Sequence, residues 1–123
     1  MKTRFAYLCD FDGTVAPADI GADFVARFSN GDRAPLDAAL ERWRAGDLGH
    51  RELTEIECRS LAVSEAAAHA FARSYAVDPH FAGFVGERRA RGDQVAVVSE
   101  GLGFYVEDLL AAAGLADVAW TAN

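Results

Sequence analysis

Apolar and polar positions along the chain follow two different periods, and these periods predict its strands and helices. Phe5–Cys9 is a short apolar run with aromatic residues that leads to Gly13, which predicts a buried strand followed by a turn. The run QVAVVS at 94–99 is uncharged and rich in β-branched residues, and it predicts a second strand. A third strand is predicted to begin within ADVAWTAN at 116–123.

Helical spacing of apolar residues fills the segments between these strands. Five helices are predicted before the second strand and one after it, at 20–28, 34–46, 50–61, 65–75, 79–91 and 103–114. Asp78 is predicted to cap the fifth of these helices, because Pro79 suits a first helical position and Gly92 follows its last turn.

The order of these elements predicts an α/β fold with parallel strands. The helical block between the first two strands is too long for a simple crossover, so it is interpreted as a helical insertion. We therefore expect residues 1–15 and 77–123 to form an α/β core and residues 16–76 to form a helical cap.

Composition narrows the range of partners and locations. The 123 residues suffice for one domain, and the net charge of -7 disfavours a nucleic acid or an anionic membrane as partner. No apolar run approaches the roughly 20 residues that span a bilayer, and no secretory signal pattern opens the sequence. Cys9 and Cys58 form neither a metal-ligand spacing nor a disulfide framework. The cytoplasm is the expected location.

Two aspartates follow the first predicted strand, one residue apart. Asp10 and Asp12 are expected on one face, where two close carboxylates repel unless a cation compensates them, and Mg²⁺ prefers such oxygen ligands. Ser99 ends the second strand at the same edge, beside glycine-rich turns whose N–H groups can hold an anion. The alternative is that both aspartates are turn and helix-cap residues.

Two sequence motifs resemble those of a known superfamily. DFDGTV at 10–15 and VAVVSEG at 95–101 are similar to the first and second motifs of the haloacid dehalogenase (HAD) superfamily. Both also resemble the phosphoserine phosphatase-like branch, which includes methionine-salvage phosphatases that act on a methylthio-keto-pentenyl phosphate. The resemblance implies a Rossmann-like parallel sheet with a helical cap inserted between the two motifs.

The resemblance also implies catalytic roles for the two aspartates. Asp10 would be the nucleophile that forms an aspartyl-phosphate, and Asp12 would be the general acid and base. Asp10 and the backbone carbonyl of Asp12 would bind Mg²⁺ as cofactor.

Phosphate and substrate contacts follow from the same resemblance. The residues expected to bind phosphate are Ser99, Glu100, Gly101 and Gly13, although Glu100 stands where the branch usually has glycine. Asp19 lies where phosphoserine phosphatases have a substrate-contacting glutamate, and its alternative role is to cap the next helix.

The later motifs of the superfamily have no counterpart in the sequence. The third motif is a lysine or arginine and the fourth an acidic pair, but no basic residue follows Ser99, and the only lysine is Lys2. The resemblance therefore covers the first half of such an enzyme. We expect this chain to be a truncated form that is inactive alone.

The functional expectation is a Mg²⁺-dependent phosphomonoester hydrolase that acts on a small phosphorylated metabolite. One alternative is a non-catalytic or self-associating fragment that binds phosphate or a partner chain, since an unfinished sheet exposes its edge. Another is a different activity of the same superfamily, such as phosphotransfer.

Overall fold

Three short strands form one parallel sheet in the computed structural model, which describes residues 2–123. They are β1 (Ala6–Cys9), β2 (Gln94–Val98) and β3 (Ala119–Thr121), and they lie in the order β1-β2-β3. Cys9 pairs with Val97, and Val97 pairs with Trp120. The α/β class and the parallel strands predicted from the sequence are confirmed.

Six helices occur within the described residues, close to the six predicted segments. They are α1 (Ile20–Phe28), α2 (Ala34–Arg44), α3 (His50–Ser60), α4 (Glu65–Ala72), α5 (Phe81–Ala90) and α6 (Gly103–Ala112). The helix predicted from residue 79 begins later, because the Asp78 carboxylate accepts the N–H of His80 at 2.8 Å in a preceding turn. Across residues 2–123, no helix has the length and apolar character needed to cross a membrane.

The sheet is buried mainly on one face. Val95 and Val97 of β2 belong to the core, together with side chains of α5 and α6 such as Val85 and Leu109. On the alternate positions Leu8 is 72% exposed and Val98 is 44% exposed. The prediction of a buried first strand is therefore wrong for one side of β1, because the core lies only against its other side.

The chain divides into two compact units. The first comprises the chain up to Gly21 together with Glu65–Asn123, and it holds the whole sheet with α4, α5 and α6. The second unit is Ala22–Ser64. Its bounds differ from the predicted cap at 16–76, and the assignment of a cap stays a prediction.

The second unit has a small core of its own. Ala39 of α2 and Leu53 of α3 are buried together with Leu48 from the connection between these helices. An antiparallel bridge between Ser29 and Leu61 brings the two ends of this helical pair together.

Candidate active site

The carboxyl ends of β1 and β2 place Asp10 and Ser99 at one edge of the sheet. Since Cys9 pairs with Val97 in parallel, Asp10 directly follows one strand end and Ser99 follows Val98 at the other. This edge is where open α/β sheets bind ligands. The Asp10 side chain is exposed, and among the described residues only its neighbour Phe11 donates to it, through an N–H 2.8 Å from Oδ1.

The loop after Asp10 is closed by its own backbone. Ala16 donates its N–H to the carbonyl of Phe11 at 2.9 Å, and Gly13 donates to the carbonyl of Ala18 at 3.1 Å. Gly13 has a φ of +72°, in the left-handed region that favours glycine. The predicted phosphate-binding N–H of Gly13 is thus used inside the loop, and the glycine is explained by the turn.

Three donors surround the carboxylate of Asp12. The N–H groups of Ile20 and Gly21, at the start of α1, lie 2.7 Å and 3.2 Å from Oδ1. The hydroxyl of Tyr105, on α6, donates to Oδ2 at 2.8 Å. The first two hydrogen bonds satisfy N–H groups at the N-terminus of α1. Asp12 therefore acts on the start of a helix, in line with the alternative expectation that the aspartates are turn and helix-cap residues.

Tyr105 is fully buried within the first unit. Burial, together with the adjacent carboxylate of Asp12, raises the pKa of Tyr105 well above its usual range. The Tyr105 hydroxyl therefore stays protonated near neutral pH and acts as a hydrogen-bond donor.

The turn after β2 lies beside Asp12. Its Ser99 is buried, and the Ser99 hydroxyl oxygen accepts the N–H of Gly101 at 2.9 Å. A Cβ atom on Gly101 would lie 2.7 Å from Oδ2 of Asp12, which shows how closely the turn approaches this carboxylate. The structure thus brings the second aspartate close to the turn of the second motif. The N–H of Gly101, predicted to bind phosphate, is occupied by Ser99.

Asn123 fixes the same turn from the end of β3. Its side-chain Nδ2 donates to the carbonyl of Glu100 at 2.6 Å, and its backbone N–H donates to the carbonyl of Gly101 at 2.9 Å. Its own carbonyl accepts the N–H of Gly103 at 2.9 Å. The Glu100 side chain is exposed. This turn is therefore held by the third strand as well as by Ser99.

Asp19 lies immediately before α1 and is exposed. A Cβ atom on Gly21 would lie 3.8 Å from Oδ1 of Asp19. The charge of Asp19 also contributes to the raised pKa of Tyr105. The predicted substrate contact of Asp19 stays a prediction.

Among the predicted metal ligands, the structure shows one exposed carboxylate donor. Asp10 offers an exposed carboxylate oxygen, and a hard oxygen donor of this kind fits Mg²⁺, which often keeps several water ligands. Within residues 2–123, no group of three or more acidic, histidine or cysteine side chains is arranged to hold a metal. The chain therefore offers a partial set of ligands.

Two residues of the site were missed by sequence reasoning. In the sequence, Tyr105 falls within the apolar pattern of a predicted helix and Asn123 at the end of a predicted strand segment, and neither pattern indicates a place in the site. Asn123 lies two residues beyond the end of β3, at the carboxyl edge of the sheet where ligands bind, and this position is the sequence signal for it. The contact of Tyr105 with Asp12 has no local signal, because 93 positions separate them.

The arrangement has counterparts among known proteins. Residues 7–122 match the family described as haloacid dehalogenase-like hydrolase. The sequence has no match among curated proteins.

Three solved structures resemble the fold. A HAD family hydrolase from Salmonella enterica subsp. enterica serovar Typhi has a TM-score of 0.74 and 21% identity, over 96% of this chain and 40% of its own. A phosphoserine phosphatase, solved as a phospho-aspartyl intermediate analogue, has a TM-score of 0.73 and 21% identity, over 98% of this chain and 56% of its own. A protein of unknown function from Bordetella pertussis Tohama I has a TM-score of 0.68 and 26% identity, over 99% of this chain and 60% of its own. The chain thus spans about half the length of these structures.

Proposed function

Because the chain belongs to the haloacid dehalogenase-like hydrolase family, we propose that it contributes the nucleophile and the proton-transferring group of a phosphomonoester hydrolase. The observation that carries this proposal is the placement of Asp12. Its carboxylate is fixed against the turn of Ser99 and Gly101, at the edge of the sheet where Asp10 is exposed. The substrate class we propose is a small phosphorylated metabolite.

The proposed reaction has two steps. In the first, a carboxylate oxygen of Asp10 attacks phosphorus while the bond from phosphorus to the ester oxygen breaks, and Asp12 gives that oxygen a proton. In the second, Asp12 takes a proton from water as the water oxygen attacks phosphorus and the bond to Asp10 breaks. Phosphate leaves, and both aspartates return to their starting states.

Ser99 is proposed to bind the phosphoryl oxygens. Since its oxygen already accepts from Gly101, its hydroxyl proton remains available for donation. This geometry supports a donor whose orientation is set before the substrate arrives.

Mg²⁺ is proposed as cofactor, held by a carboxylate oxygen of Asp10 and the backbone carbonyl of Asp12. When bound, it neutralises negative charge on the phosphoryl group. The remaining ligands are proposed to come from water and from residues outside this sequence, since the acidic pair of the family's fourth motif has no counterpart here.

The identity of the metabolite is proposed from the likeness to the phosphoserine phosphatase-like branch. In the register set by the two motifs, Glu55 stands where an arginine would bind the substrate carboxylate of phosphoserine. That substitution favours an ester without a carboxylate, such as the methylthio-keto-pentenyl phosphate of methionine salvage. A screen of phosphorylated metabolites tests this choice, carried out with an extended form of the chain that carries the missing basic and acidic residues.

The chain alone is proposed to be inactive. No basic residue follows Ser99, so the cation that would bind both Asp10 and the phosphate is missing from the sequence. Loss of one such electrostatic group commonly slows catalysis by about 10²-fold or more. Equal turnover by the 123-residue chain and by an extended form that carries the missing basic and acidic residues would contradict this proposal.

Substitution of Asp10 tests the reaction itself. In the extended form, Asp10→Asn is expected to lower kcat by at least about 10³-fold, because the amide is a poor nucleophile. Glu107→Gln neutralises an exposed carboxylate on α6 and is expected to leave kcat unchanged. Mass spectrometry should find phosphate on the peptide that contains Asp10 after rapid acid quenching. Near-native activity of Asp10→Asn would refute the proposal.

As a second proposal, the chain self-associates, with another copy of the chain covering the sheet face that is not packed against the core. The exposed side chains of Leu8 and Val98 on this face support it. Light scattering of the 123-residue chain is expected to show a dimer or larger species, which Leu8→Lys should weaken. A monomer at high concentration would contradict it.

The remaining partners and the location are also proposals. The net charge of -7 supports a protein that binds neither nucleic acid nor anionic membranes. Cys9 and Cys58 are free thiols, which is compatible with the reducing cytoplasm.

A further inference from the structure

The hydroxyl of Tyr105 is the one side-chain donor in contact with Asp12 among the described residues. We propose that Tyr105 is a positioning residue for Asp12, and that Oδ2 is the carboxylate oxygen that gives and takes the proton. This inference rests on the proposed function, in which Asp12 acts as general acid and base.

The hydrogen bonds of Asp12 distinguish its two oxygens. Oδ1 accepts from both Ile20 and Gly21, and two donors fill the lone pairs of one carboxylate oxygen. Oδ2 accepts only from Tyr105, so one of its lone pairs remains open. Proton exchange with a substrate therefore occurs at Oδ2 without loss of any of the three bonds.

Two glycines leave the space that the Tyr105 hydroxyl fills. A Cβ atom on Gly101 would lie 1.8 Å from this hydroxyl oxygen, and one on Gly21 would lie 3.1 Å from it. Neither glycine is among those with positive φ. Gly101 is therefore required by the close approach of Tyr105 and Asp12 and not by the conformation of its own backbone.

Packing fixes the ring that carries this hydroxyl. The Tyr105 side chain has no exposed surface, and its ring centroid lies 6.1 Å from that of Phe11, the residue between the two aspartates. The ring of Phe104 meets it edge-on at 5.5 Å. Since the ring has little room to move, its hydroxyl gives Oδ2 a defined position.

The choice of leaving group tests the inference. An alkyl ester such as glycerol 2-phosphate needs its leaving oxygen protonated, whereas p-nitrophenyl phosphate releases a stable anion and needs little general acid help. In the extended form with Mg²⁺, Tyr105→Phe is expected to lower kcat for glycerol 2-phosphate by about tenfold or more. It is expected to change kcat for p-nitrophenyl phosphate by less than about threefold, with KM little altered for either ester.

The control is Tyr7→Phe. This substitution also removes a hydroxyl from the first unit, but one that accepts a hydrogen bond from Arg88 at 3.3 Å and none of whose bonds involves Asp12. It should therefore affect both esters alike. Equal losses of kcat on both esters in Tyr105→Phe, with Asp10→Asn inactive, would overturn the inference and leave the proposed function in place. Full activity of Asp10→Asn would instead refute the proposed function.

A second readout does not depend on turnover. Crystal structures of the 123-residue chain and its Tyr105→Phe variant are expected to show Oδ2 of Asp12 displaced by about 0.5 Å or more, which exceeds the tolerance of a catalytic group. An Asp12 carboxylate that keeps its position and its order without the hydroxyl would overturn the inference.

Discussion

The side chain of Asn123 donates to the backbone carbonyl of Glu100 over 2.6 Å and so ties the end of β3 to the turn that carries Ser99. The backbone of Asn123 adds two further hydrogen bonds, to Gly101 and from Gly103. The second motif is therefore held by a residue that follows a different strand.

Removal of this side chain tests its contribution. Asn123→Ala is expected to lower the free energy of unfolding by about 1 kcal/mol, the usual value of one hydrogen bond, and to raise KM in the extended form because the Ser99 turn loosens. Urea denaturation and steady-state kinetics measure the two effects. Gln94→Ala, at the exposed start of β2, is the control and should leave KM unchanged.

Ser99 is expected to contribute to substrate binding through its hydroxyl. Ser99→Ala removes both the acceptor for Gly101 and the proposed phosphate donor, so KM should rise by about tenfold, the equivalent of one hydrogen bond. Ser74→Ala removes an exposed hydroxyl that donates to the Phe71 carbonyl, and it serves as the matched control. An unchanged KM in Ser99→Ala would remove this residue from the site.

Removal of divalent ions tests the proposed cofactor. Treatment of the extended form with EDTA is expected to abolish phosphatase activity, and Mg²⁺ to restore it, because the phosphoryl charge would face Asp10 without compensation. Ca²⁺ is expected to restore little, since its longer bonds and larger coordination number alter the geometry of the site. Activity that survives exhaustive chelation would contradict a metal-dependent mechanism.

Asp108 is expected to stabilise the fold without a role in catalysis. Its largely buried carboxylate lies 2.6 Å from Nδ1 of His69 on α4, so it ties α4 to α6. Asp108→Ala should lower the free energy of unfolding by about 1–2 kcal/mol, because it leaves the half-buried imidazole without this partner. The adjacent exposed Glu107→Ala is the control, and urea denaturation compares them. Equal stability of the two variants would show that the pair contributes nothing.

Both thiols are expected to react slowly at neutral pH. Partial burial raises the pKa of Cys9. Cys58 is exposed, and partial desolvation with the nearby charge of Glu57 raises its pKa, so little thiolate of either residue forms at pH 7. Alkylation of both thiols by iodoacetamide, followed by mass spectrometry, should accelerate as pH rises, and at the same pH the half-buried Cys9 should react faster in urea. Because these pKa values are higher in the folded state, the contribution of the neutral thiols to the free energy of unfolding is present at low pH and is lost as pH rises through the folded pKa values. Equal alkylation rates of Cys9 in the native and the urea-unfolded chain would contradict the role of burial.

Local sequence pattern was sufficient for the elements and for their class. The β-branched run at 94–99 became β2, and the capping residues around 78–92 located α5 to within two residues. The exposure of Leu8 was not predictable, because an apolar run does not reveal which sides of a strand are covered.

The candidate site was predictable in part. Asp10 and Ser99 follow strand ends, and the parallel register of β1 and β2 places them at one edge. The N–H groups of Gly13 and Gly101 were predicted to face a phosphate, but local turns use both of them. Side-chain and backbone donors compete for acceptors within a few residues, and the sequence does not specify which pairing is made.

Hydrophobic period and turn chemistry are properties of neighbouring residues, so they sufficed to predict the strands, the helices and the position of two aspartates beyond β1. The groups that surround Asp12 depend on long-range packing and could not be predicted from neighbouring residues. Tyr105 reaches it across 93 positions because α6 packs into the same core as β2. A hydrogen bond depends on distance and angle within a few tenths of an ångström, and only the packed fold sets these.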